Sequence, residues 1–115
     1  MDISERGVLM RIFIGENDKH DGKPLHRVIV EEARRSNMAG ATVLRGPLGF
    51  GHSSRLHTEN ILRLSGDLPL IIELVDGPAK IDAFGERLKT IMASGLVTLQ
   101  DVKVAHYGTG PATDG

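Results

Sequence analysis

Apolar and polar positions alternate over residues 8–14. Val8, Met10, Ile12 and Ile14 share one side, and Leu9, Arg11 and Phe13 share the other. A period of two is that of a β-strand. Residues 15–22, polar with glycine at both ends, read as a loop. The period then changes. Leu25, Val28, Ile29 and Ala33 fall on one helical face, with Pro24 suited to the first helical position, where a missing N–H costs nothing. Glu31 and Arg35 have the i,i+4 spacing of a supporting ion pair, and Asn37 and Gly40 are stop residues.

The second half repeats this pattern. Residues 41–45 form a short strand ending at a glycine-rich loop, and residues 60–64 are too short to assign. Residues 68–75 are apolar on both sides and form a firm strand, with Pro69 near its start. Asp76-Gly77-Pro78 again puts proline at a helix start, and Ile81, Phe84, Leu88, Ile91 and Met92 mark a buried stripe that Gly95 ends. Residues 97–107 carry a last strand, with Val102, Val104 and His106 on one side.

The order β-α-β-loop-β-α-β predicts an α+β, ferredoxin-like βαββαβ sandwich. Two helices cover only one face of a four-stranded sheet. Leu9, Phe13, Ile71 and Val75 would then stand on the other face, and an apolar surface of that extent marks an interface. The open face is therefore expected to be buried by subunit association. Arg11 and Glu73 share it on adjacent strands and are expected to pair, which avoids an unpaired buried charge.

Composition narrows the function. At 115 residues the chain is one domain, expected over 1–107 with a flexible tail at 108–115. The net charge of −1 leaves no basic stripe for nucleic acid, and four aromatic residues make no base-stacking platform. The absence of cysteine excludes disulfides and thiolate chemistry. No apolar run is long enough to span a bilayer and the N-terminus has no signal-peptide core, so a cytoplasmic protein without membrane insertion is expected.

The chemistry concentrates at residues 45–58, which hold Gly46, Gly49 and Gly51 among Arg45, Ser53, Ser54, Arg55, His52 and His57. Closely spaced glycines let backbone N–H groups turn inward as an anion-binding nest, and guanidinium forks suit phosphate or carboxylate oxygens. Phe50 and Leu56 are apolar enough to cap a ligand ring or meet a neighbouring chain. The plain alternative is a connector loop. Neither a Walker motif nor a dinucleotide fingerprint is present. The histidines lack converging metal-ligand spacing, and no nucleophile elbow or pre-organised triad appears, so neither a metal nor catalysis is expected.

The strings Asn37-Met38-Ala39-Gly40-Ala41-Thr42-Val43, Gly49-Phe50-Gly51 and Ser94-Gly95-Leu96-Val97 resemble the PII signalling proteins. With Ile14-Gly15-Glu16, Gly22-Lys23-Pro24-Leu25, Leu44-Arg45-Gly46, Ile61-Leu62-Arg63-Leu64-Ser65 and Asp67-Leu68-Pro69, the chain is most similar to the PII-like family "domain of unknown function 190" over residues 7–106. The resemblance implies a homotrimer whose sheets line its centre and whose inter-subunit clefts bind an adenine nucleotide: AMP, ADP, ATP or a cyclic nucleotide. It implies that the base of the loop after the second strand (Arg45, Gly46, Gly49, Phe50, Gly51) and the segment after the second helix (Gly95 and its neighbours) clamp phosphates. The 46–65 loop would report to a partner protein such as a membrane transporter. Two departures stand out. The segment after the second helix is shorter and lacks the lysine PII carries there, and the loop before the first helix is longer. Lys23 and His26, at a helix start that favours anions, are candidates to replace the missing charge; the duller account makes them a solvated lysine and an ordinary helix residue.

The expected ligand-binding set is therefore Lys23, His26, Arg45, Gly46, Gly49, Phe50, Gly51, Ser53, Ser54, Arg55 and Gly95. Three functions remain open: an effector-binding sensor, a ligand-free oligomeric interaction module, and a small enzyme using the Ser/His/Arg loop.

Overall fold

The computed structural model describes residues 6–47, 49, 67–108 and 110 of the chain. Strand β1 (Arg6–Gly15) leads through a two-stranded hairpin, β2 (Lys19–His20) and β3 (Lys23–Pro24), into helix α1 (Leu25–Arg35). Strand β4 (Thr42–Arg45) follows, then β5 (Pro69–Asp76), helix α2 (Pro78–Ile91) and β6 (Leu96–Lys103). The four long strands form one antiparallel sheet in the order β4-β5-β1-β6. This is the ferredoxin-like arrangement, with the hairpin added.

Alternation in β1 and β5 decides which sheet face is covered. Val8, Met10, Ile12 and Ile14 of β1 are buried with Leu70, Ile72 and Leu74 of β5. Ile12 and Ile72 are direct cross-strand partners at the centre. Leu25, Ile29 and Ala33 of α1 and Ile81, Phe84 and Leu88 of α2 close over them. Each such large side chain contributes about 1.5–3 kcal/mol by leaving water.

Among the described residues, no helix lies on the opposite face. Cross-strand register sets Leu44, Ile71, Phe13 and Leu96 in one row across all four strands. The adjacent row is Thr42, Glu73, Arg11 and Thr98. Leu44 and Leu96 are exposed at 44% and 56%. The expected Arg11–Glu73 pair is present, with Arg11 Nε donating to Glu73 Oε2 at 2.7 Å.

The helix ends follow the sequence signals in part. Asn37 adopts φ +57, the left-handed turn expected past α1, and Pro78 opens α2. Pro24, however, is the N-cap of α1 and not its first residue, because β3 holds it in extended backbone at ψ 127.

Two further expectations need correction. Arg35 pairs with Glu32 at 2.8 Å and not with Glu31. Glu32 is the buried one, held between the helices by Arg35 and by Arg87 of α2, while Glu31 faces solvent. The last strand ends at Lys103, not at residue 107. Its partner β1 begins at Arg6, which pairs with Lys103, so His106 lies beyond the strand. Residues 60–64 lie outside the described residues.

Candidate functional site

All the described site candidates from the glycine loop and the segment after α2 lie at one end of the sheet. There β4 and β1 finish and β5 and β6 begin. Arg45 closes β4, and the Gly46 N–H donates to the Pro69 carbonyl at 2.8 Å, so the way into the loop is pinned to the way out. That approach requires glycine: a Cβ on Gly46 would lie 2.8 Å from Pro69 Cγ. Gly49, at φ +156, also lies against the Pro69 ring.

The turn after β1 packs onto this junction. The Glu16 N–H donates to the Leu68 carbonyl and the Asn17 N–H to Asp67 Oδ1, both at 2.8 Å. Asp18 Oδ2 accepts from the Gly15 N–H at 2.9 Å. The Glu16 carboxylate reaches Arg45, with Oε1 at 2.6 Å from Nη2. The Arg45 side chain nonetheless keeps 61% exposure, against 27% for Glu16. The pair therefore leaves the Arg45 side chain largely exposed, and its guanidinium carries more donors than one carboxylate oxygen uses.

Gly95 lies at the same end but at the other edge. Its φ of +118 turns the chain from α2 into β6, close against the Phe13 carbonyl and Ile14. Arg45 on β4 and Leu96 on β6 are separated by β5 and β1. Three inter-strand spacings put them roughly 14 Å apart. One subunit therefore carries the two expected phosphate-holding segments on opposite edges of its sheet.

Lys23 is exposed in β3. His26 is half-buried in the first turn of α1, and its Nδ1 is buried without a hydrogen-bond partner among the described residues. Neither bonds to the Glu16–Arg45 pair among the described residues. Phe50, Gly51, Ser53, Ser54 and Arg55 lie outside the described residues.

Sequence reasoning missed the roles of Glu16 and Asp67. Both stand in quoted motifs, but their convergence on Arg45 and on the turn after β1 depends on strand order. A groove of about 760 Å³ runs between α2 and β6, lined by Met10, Ile81, Leu88, Met92, Val97 and Leu99, with Gly95 at its end. Among the described residues no group of three or more His, Asp or Glu could hold a metal.

The PII-like fold is found in known proteins. The crystal structure of a PII-like signalling protein from Thermus thermophilus superposes with a TM-score of 0.62 at 17% identity, over 87% of this chain and 90% of that one. The structure of CPII from Thiomonas intermedia, bound to ADP, AMP and acetate, gives 0.58 at 14% identity, over 89% and 91%. In sequence, a UPF0166 protein of Aquifex aeolicus is 35% identical over 98 residues, 85% of this chain and 92% of that protein. The family model described as "DUF190: Uncharacterized ACR" matches residues 7–104, and the chain belongs to that family.

Proposed function

We propose that the chain is a signal-transduction subunit. In this reading it assembles with copies of itself, as a homotrimer, and binds a small phosphorylated effector, an adenine nucleotide, in the crevices between subunits. The 46–65 loop then signals to a partner protein. The observation that carries this reading is the separation of Arg45–Gly46 and Gly95 on opposite sheet edges. A closed ring of heterologous contacts can bring the β4 edge of one copy beside the β6 edge of the next. The uncovered row Leu44, Ile71, Phe13 and Leu96 supports association, since an apolar sheet face of this kind calls for a partner. The adenine nucleotides bound to CPII, a protein of the same fold, support the ligand class.

A thermal-shift panel of AMP, ADP, ATP and cyclic nucleotides tests it. A nucleotide present at 100 times its dissociation constant stabilises the folded chain by about 2.7 kcal/mol and raises the melting temperature accordingly. No shift across the panel, with the chain folded, would favour the ligand-free interaction module.

A further inference from the structure

We propose that Glu16 is the resident anion of Arg45, and that a phosphorylated effector binds by displacing it. This rests on the reading of Arg45 as a phosphate-binding residue. Glu16 Oε1 and Arg45 Nη2 are 2.6 Å apart, and the Arg45 side chain as a whole remains 61% exposed. A guanidinium pairs best with an anion that meets its fork in two places. A phosphate group can do so and carries more charge than the carboxylate, so it competes for the same cation.

The turn that carries Glu16 is rich in negative charge. Asp18 and Asp67 lie beside it, bonded to the backbone N–H groups of Gly15 and Asn17. Among the described residues, Arg45 is the one Lys or Arg within ion-pair distance of any of these three carboxylates. Glu16 also touches both sides of the loop junction. Its carboxylate holds Arg45 on the way in, and its backbone N–H holds Leu68 on the way out. Displacing the carboxylate removes one of these two ties. Effector binding and the seating of the turn are therefore linked, and linkage is reciprocal: whatever loosens the Glu16 carboxylate must tighten the effector.

Calorimetric titration of ADP into the intact protein, Glu16→Gln, Arg45→Ala and the double variant tests the proposal. Glu16→Gln is expected to bind ADP about five- to tenfold more tightly than wild type. Arg45→Ala is expected to bind more weakly without change in oligomeric state, and the double variant to match Arg45→Ala. Equal or weaker binding by Glu16→Gln overturns the displacement while leaving the site itself standing. A gain that persists in the Arg45→Ala background overturns it too, because Glu16 would then act by general repulsion. Failure of all four folded proteins to bind ADP overturns displacement by ADP, and failure with AMP, ATP and cyclic AMP titrated in the same way overturns the underlying reading as well. Glu16→Asp retains charge but withdraws it by one methylene. Its smaller gain provides the same comparison if Glu16→Gln melts early.

Discussion

Arg11 and Glu73 stand directly opposite one another on β1 and β5, and their side chains meet at 2.7 Å on the sheet face that no helix of the described residues covers. In the isolated subunit the pair is partly wet, with side-chain exposures of 42% and 29%. An ion pair in that state contributes about 0–1 kcal/mol. Buried by a second copy, it would behave otherwise: loss of one partner would strand the other charge, at a cost of about 3–5 kcal/mol.

Arg11→Ala is therefore expected to destabilise the assembled protein by about 3 kcal/mol. Arg11→Leu with Glu73→Leu is expected to recover most of that loss, since Ile71 and Phe13 flank the pair on one side and Leu9 and Val75 on the other. Urea denaturation of the three proteins at fixed protein concentration measures both. A loss below about 1 kcal/mol for Arg11→Ala would indicate a face exposed to water.

Asp76 is 1% exposed at the end of β5. Its two oxygens accept from the Ala39 N–H at 2.9 Å and the Gly77 N–H at 2.7 Å, tying the chain before β4 to the start of α2. Asp76→Ala leaves both donors without that acceptor and is expected to cost about 3 kcal/mol. Asp76→Asn keeps one acceptor oxygen and is expected to cost less. Denaturation midpoints of the two variants give the order.

Gly95 combines φ +118 with a would-be Cβ 3.0 Å from the Phe13 carbonyl oxygen. Gly95→Ala is expected to destabilise the fold by about 1–3 kcal/mol through backbone strain. Gly40 has open space around it and no unusual φ, so Gly40→Ala serves as the comparison, with a change near zero. Thermal melts of the two variants compare them.

The parts of the fold legible in the sequence are those with a sustained period. The alternation of Val8, Met10, Ile12 and Ile14 orients β1, the two-sided apolar pattern of β5 puts Ile71 and Val75 on the face away from the core, and Ile81, Phe84 and Leu88 mark the inner face of α2. Arg11 and Glu73 can be paired because strand adjacency follows from the topology. The β2–β3 hairpin is silent in the sequence because two-residue strands have no period to read. The last strand reads too long because Val104 and His106 continue the alternation past the point where Arg6 begins β1. Glu32 and Glu31 are neighbours in sequence, and only helix packing against Arg87 selects between them. At the candidate site, the glycines and Arg45 are visible as residue types. The Glu16–Arg45 pair is not, because it spans the start of β5 and is fixed by strand order rather than by spacing.

Self-association through the uncovered sheet face is tested most directly by static light scattering at micromolar concentration. The predicted result is a particle of three times the 12.4 kDa chain mass. A stable, folded particle of 12.4 kDa would contradict it.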